Sequence, residues 1–273
     1  MKKDIKKIVR DGYAKVAKQN ISCCPSGSCC GSASSVQDIS KSVGYSGDDM
    51  NAVPDGANLG LGCGNPVALA SLKDGDVVLD LGSGAGFDAF LSAQRVGKSG
   101  RVIGVDMTPE MIAKAKENAQ KGNYENVEFR LGEIEMLPVE DNSIDVIISN
   151  CVINLSPDKQ AVFREAYRVL RPNGRLMVSD LVLAKELPVA IKESVEAYVG
   201  CLAGAIMKEK YLQYIKEAGF SEVVVIQENS YPIEAMTNDV TAQVINQNPD
   251  IREKDLTDAA CAVFSIKVSA KKE

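Results

Sequence analysis

Val77-Val78-Leu79-Asp80-Leu81 is a short apolar run interrupted by a single acid, and it breaks off into Gly82-Ser83-Gly84-Ala85-Gly86. No other segment restricts the fold as strongly. A buried strand that stops at alternating glycines, and is followed by a helical pattern over residues 87–96, predicts a strand–turn–helix unit. Backbone N–H groups in such a turn can come close to a polar or anionic ligand. The alternation then continues. Further strands are predicted at Val102–Val105, Val127–Leu131, Ile144–Ser149 and Arg175–Leu183. A helix opens at Thr108-Pro109-Glu110, with Thr108 as N-cap and Pro109 in the first helical position. Another covers residues 157–170 and is closed by the turn Pro172-Asn173-Gly174. Strands alternating with helices predict an α/β fold with a doubly wound, mostly parallel sheet.

The ends of the chain read differently. Ile5, Ile8, Val9, Tyr13 and Val16 recur at helical spacing and predict an amphipathic helix with a lysine-rich outer face. Residues 21–35 are small, polar and rich in cysteine, and predict a loop; a short helix and a turn at Pro54-Asp55-Gly56 follow. Beyond residue 184 the rhythm changes to mostly helical residues 188–218, strand candidates at Glu222–Gln227 and Ala262–Val268, and a helix near 233–247. Three regions result: residues 1–58 with the N-terminal helix and Cys-rich loop, 59–185 with the strand–helix alternation, and 186–273 as a C-terminal α+β extension.

Composition excludes several kinds of chemistry. The net charge of −6 argues against a broad electrostatic grip on nucleic acid. No apolar run is long enough to span a membrane, and the first residues carry Asp4 and Asp11 in place of a signal-peptide core. A soluble, cytoplasmic protein is expected. The chain has no histidine, which removes histidine bases, Ser-His-Asp triads and histidine metal sites together. It has eight cysteines, expected to act as thiolate ligands or redox pairs rather than as a disulfide framework.

The glycine turn reads G-x-G-x-G, not the G-x-G-x-x-G of dinucleotide sites, which disfavours NAD. Asp80 precedes it. Asp106 ends the second strand, where a carboxylate can accept both hydroxyls of a ribose. This arrangement resembles the class I S-adenosylmethionine-dependent methyltransferases over residues 75–185, and so implies their Rossmann-like fold. The resemblance implies that Asp80, Gly82, Gly84 and Gly86 lie near the amino-acid part of the cofactor. It also implies that Asp106 holds the ribose, that Met107, Ile134 and Glu135 flank the adenine, and that Asn150 sits where the methyl group is handed over.

Cys151 directly follows Asn150 at the carboxyl end of the fourth strand, the end where open α/β sheets bind ligands. Cys63 and Cys201 lie in glycine-flanked contexts outside the predicted sheet. The segments Asn58–Pro66, Gly132–Pro138, Ile148–Lys159 and Gly200–Ala205 resemble arsenite methyltransferases, over about residues 40–210 and with the three cysteines in order. That resemblance implies trivalent arsenic held by the thiolates of Cys63, Cys151 and Cys201, the last of them supplied by residues 186–273 as a C-terminal arsenic-binding cap. It further implies attack of the arsenic lone pair on the cofactor methyl, and return of oxidised cysteines by a small thiol or a thioredoxin-like reductant. Soft thiolates suit a soft metalloid. The nucleophile carries no proton, so the lack of a histidine base is no obstacle. Some family members carry a tyrosine two residues before the first site cysteine; here that position is Leu61. Cys23, Cys24, Cys29 and Cys30 are expected to be accessory thiols for arsenic capture or disulfide exchange, and Cys261 a core residue at the start of a late strand. The competing readings are a methyltransferase of a small quinone or sterol precursor and a thiol-rich metalloid-binding protein without catalysis.

Overall fold

The computed structural model describes residues 2–18, 36–192, 201–230, 258–259 and 261–273. Its centre is a seven-stranded sheet in the order β3-β2-β1-β4-β5-β7-β6. The strands are β1 (Val77–Leu81), β2 (Arg101–Asp106), β3 (Val127–Leu131), β4 (Ile144–Asn150), β5 (Leu170–Leu183), β6 (Ser221–Ser230) and β7 (Val263–Lys271). β1 to β5 are parallel, and β7 runs antiparallel between β5 and β6. The helices are α1 (Lys2–Lys18), α2 (Val36–Ser42), α3 (Gly47–Asn51), α4 (Pro66–Leu69), α5 (Phe87–Val96), α6 (Pro109–Lys121), α7 (Lys159–Val169), α8 (Val189–Lys192) and α9 (Lys208–Glu217).

The apolar runs become strands because the sheet is covered on both faces, which buries successive side chains on opposite sides. Leu79 and Leu81 of β1 pack in one core with Phe163 of α7 and Tyr211 of α9. Val78 packs in the other with Phe90 of α5 and Ile112 of α6. β4 divides in the same way, Ile147 to the first core and Val146 and Ile148 to the second.

The five predicted parallel strands are present, and two details differ. The turn Pro172-Asn173-Gly174 is not a simple helix stop. Leu170 already pairs with Ile144 and Arg175 with Val146, so the intervening residues bulge from the head of β5 with Asn173 at φ 66°. The structure also corrects Cys261. It lies exposed in a turn, because β7 begins only at Val263. The two late strands, β6 and β7, extend the main sheet. The loop at residues 21–35 and the helix near 233–247 lie outside the described residues. Among the described residues no helix is long and apolar enough to cross a membrane.

The order reverses at β1, which has β2 on one side and β4 on the other. Crevices for ligands form at such a switch point, outside the carboxyl ends of the strands. Gly82, Asp106 and Cys151 all follow or end strands at that edge. Helix α1 lies across it, with Val9 buried, Lys6 paired with Glu133 at 2.7 Å and Glu135 at 3.1 Å, and Lys18 paired with Glu110 at 2.9 Å.

Candidate functional site

A cavity of about 1120 Å³, counting its open mouth, lies at the switch point. The glycine turn forms its floor. The N–H groups of Gly82 and Ser83 both donate to the Val105 carbonyl, at 2.8 and 3.0 Å, which folds the turn back over β2. Gly82 has φ 67°, and a Cβ there would come within 2.3 Å of Val152. Gly84 has φ 51° and open space where a side chain would be. Its N–H donates to Asp106 Oδ2 at 3.0 Å, while Asp106 Oδ1 accepts from the Thr108 N–H at 2.8 Å. The acid at the end of β2 is thereby held facing the turn.

Asp80, Gly82, Gly84, Asp106, Met107, Ile134, Glu135 and Asn150 all line this cavity. Gly86 stands apart. It precedes α5 at φ 98°, and a Cβ there would strike Phe90 and Phe129, so it serves helix–strand packing. Leu61 also lines the wall. Tyr45 reaches the same wall from the segment after α2.

The cavity is electrostatically acidic. Burial, then the nearby Asp88 and Asp106 carboxylates, hold the Asp80 carboxyl well above its usual range. Asp80 Oδ2 is buried with no hydrogen-bond partner among the described residues. Burial pushes Asp88 up to about 6, against hydrogen bonds from Tyr45 and Asn150. Burial also raises Asp106, against the Thr108 and Gly84 hydrogen bonds. The buried Asp80 and Asp88, the half-buried Asp106 and an unpartnered carboxyl oxygen suit a ligand that brings positive charge and donors.

Cys151 lies in the wall of this cavity. It is joined by a disulfide to Cys63, with 5.9 Å between the Cα atoms. Cys201, buried, donates from its sulfur to the Cys151 carbonyl at 2.7 Å. The chain thus brings Cys63, Cys151 and Cys201 to one place, in one buried cluster. Cys151 and Cys201 sit at φ 56° and 64°, a region non-glycine residues rarely adopt and which is enriched at functional sites. The Cys151 N–H is anchored on the Ser179 carbonyl at 2.8 Å. Cys23, Cys24, Cys29 and Cys30 lie outside the described residues.

Four residues of this neighbourhood escaped the sequence reading. Asp180 is fully buried, with a carboxylate oxygen and the sulfurs of Cys63 and Cys151 within 4.8 Å of one another. It accepts from Asn154 at 2.8 Å, from the Leu181 N–H at 2.9 Å and from Tyr211 at 3.0 Å. Burial raises its carboxyl. Burial also lowers the Lys159 ammonium nearby, against the charges of Asp180, Cys201 and Glu135. Tyr45 and Asp88 are the other two. An acid inside an apolar strand, as Asp180 is in β5, was the available signal; Tyr45 gave none.

The chain matches the family described as Methyltransferase domain over residues 72–219. It is similar to a solved arsenic (III) S-adenosylmethionine methyltransferase from Chlamydomonas reinhardtii, CrArsM, at 31% identity and a TM-score of 0.64, over 86% of this chain and 73% of that one. The chain belongs to the arsenite methyltransferase family. Among curated relatives, the arsenite methyltransferase of Halobacterium salinarum is 50% identical over 228 residues, 81% of this chain and 58% of that protein. The human arsenite methyltransferase is 40% identical over 152 residues, 52% of this chain and 40% of that protein. The chain therefore spans only part of the length of these arsenite methyltransferases.

Proposed function

We propose that this chain transfers methyl groups from S-adenosylmethionine to trivalent arsenic held by the thiolates of Cys63, Cys151 and Cys201. One observation carries the reading. Cys151 stands in the wall of the glycine-turn cavity while bonded to Cys63 and touched by the Cys201 sulfur.

The cavity fits the cofactor in kind: two buried acids for a cationic amino acid, the half-buried Asp106 for a diol, and a turn with room beside Gly84. When bound, the cofactor supplies an electrophilic methyl group and a neutral thioether leaving group. Asp106 is the acceptor for the ribose hydroxyls; Asp80 and Asp88 receive positive charge; Met107, Ile134 and Glu135 flank the adenine. Helix α1, pinned by Lys6, excludes water from the same space. Residues 186–273 act as a cap by contributing Cys201.

The arsenic substrate enters the reduced protein by exchanging hydroxyls for thiolates, releasing water. Its lone pair then takes the methyl group, which raises arsenic formally from the trivalent to the pentavalent state. Two electrons return it to the trivalent state as Cys63 and Cys151 close their disulfide. Two molecules of an external thiol, or a thioredoxin-like dithiol, then reopen that disulfide and are themselves oxidised. Cys23, Cys24, Cys29 and Cys30 serve arsenic capture or disulfide exchange, in a cytoplasmic enzyme of arsenic detoxification.

The test is direct. Reduced protein incubated with S-adenosylmethionine, arsenite and a thiol should yield methylated arsenic, and the Cys151→Ser variant should not. Arsenic bound without a methylated product would instead support a sequestering protein.

A further inference from the structure

The cavity and the disulfide share one side chain. Asn150 closes β4 and lines the cavity. Its Oδ1 accepts from the Cys63 N–H at 3.1 Å, and its Nδ2 donates to the Gly64 carbonyl at 2.8 Å. One amide thus grips the Cys63 loop on both sides of the cysteine. A Cβ on Gly62 would fall 2.5 Å from Asn150 Nδ2, so the bare glycine is what lets the amide approach.

The same Nδ2 also lies 2.9 Å from the Tyr45 hydroxyl and 3.0 Å from Asp88 Oδ2. Tyr45 in turn donates to Asp88 Oδ1 at 2.6 Å. An amide nitrogen has two hydrogens, and here it faces three acceptors. Gly64 therefore competes with Asp88 and Tyr45 for the two amide hydrogens.

We propose that Asp88 and Tyr45 are positioning residues for Cys63: by drawing the Asn150 amide away from the Gly64 carbonyl, they loosen its grip on the Cys63 loop and set how readily the disulfide opens. This rests on the reading of Cys63 and Cys151 as the redox pair of a cofactor-binding enzyme. Opening consumes two small thiols. They supply two electrons and two protons, Cys63 and Cys151 become thiols, and the small thiols leave as their own disulfide. Positive charge in the cavity engages Asp88 and leaves both Nδ2 hydrogens for Gly64 and Tyr45. The loop is then held more firmly in the disulfide arrangement. By linkage, the disulfide favours ligand binding to the same degree.

The experiment equilibrates the full chain in glutathione redox buffers, traps thiols by alkylation, and weighs the peptides containing Cys63 and Cys151. Wild type, Tyr45→Phe, Asp88→Asn and Ser92→Ala are compared, with and without S-adenosylhomocysteine, whose binding is measured separately by calorimetry. Ser92 is buried on the same helix as Asp88, and its hydroxyl has no hydrogen-bond partner among the described residues. Tyr45→Phe and Asp88→Asn each remove or weaken an acceptor that competes with the Gly64 carbonyl, and should each shift the equilibrium about three- to tenfold toward disulfide, the range of one hydrogen bond. Tenfold is about 30 mV for this two-electron couple. Ser92→Ala should not move it. S-adenosylhomocysteine should shift wild type toward disulfide and leave Asp88→Asn unmoved. An unchanged equilibrium in Tyr45→Phe, which keeps the ring and carries the test if Asp88→Asn does not fold, overturns the proposal. So does an equal shift in Ser92→Ala, or ligand that binds wild type without shifting it. Ligand that does not bind at all would sink the cofactor reading, while the variants alone still decide the relay.

Discussion

Cys63 and Cys151 are 88 residues apart in the chain and 5.9 Å apart at their Cα atoms, joined by a disulfide at the edge of the cofactor cavity. One belongs to a glycine loop before the sheet and the other to the end of a central strand. Their meeting joins two residues that occupy separate sequence contexts.

Cys151→Ser and Cys201→Ser should each abolish arsenic methylation, because a hydroxyl is a hard, un-ionised substitute for a thiolate. Cofactor affinity should survive within about twofold, since removing a sulfur leaves the Asp106 and Gly84 contacts in place. Product analysis and calorimetry check the two halves. Full activity in either variant would make that cysteine a packing residue.

Cys63→Ser separates ligand from redox roles. It should lose methylation of arsenite and keep some activity on monomethylated arsenic(III), which has two positions left for thiolates and can be held by Cys151 and Cys201. Rates on the two substrates decide it. Equal loss of both would make Cys63 an obligatory ligand, and equal retention would remove it from the reaction.

Asp106→Ala should weaken S-adenosylmethionine binding about tenfold to a hundredfold, the range of a hydrogen bond to a charged acceptor. Part of that loss reflects the Gly84 and Thr108 N–H groups that Asp106 now satisfies. Arsenic binding should be unchanged. Unaltered cofactor affinity by titration would place the ribose elsewhere.

Asp180 should give the fold an unusual dependence on pH. Burial raises its carboxyl to about 7, with the Leu181 N–H, Tyr211 and Lys159 pulling the other way. In the unfolded chain it ionises near pH ~3.9. Between these values the folded protein keeps a proton that the unfolded chain has lost, so stability falls as pH rises through the window and levels off above it. Asp180→Asn retains the shape and should flatten part of that fall. Urea denaturation of wild type and variant at pH 5 and pH 8 measures it; the same decline in both would show Asp180 already ionised in the acidic fold.

The local sequence carried the frame of this protein. Val77–Leu81 and Ile144–Ser149 are apolar on successive residues, and only a sheet covered on both faces buries such a run. The alternating glycines after β1 and the acid at Asp106 marked the turn that floors the cavity, because backbone approach and a strand-end carboxylate are properties of adjacent residues. The order of Cys63, Cys151 and Cys201 was equally plain. What the sequence could not contain was distance. Cys63 meets Cys151 where its loop lies against the end of β4, its N–H on the Asn150 amide across 87 residues. The roles of Tyr45, Asp88 and Asp180 depend on burial and on partners supplied by remote segments, and a side chain's dielectric surroundings exist only once the chain has closed around it. The same reason removed Gly86 from the cavity wall and put Cys261 at the surface. Local pattern chose the elements and the chemistry available to them, and tertiary packing chose which groups meet.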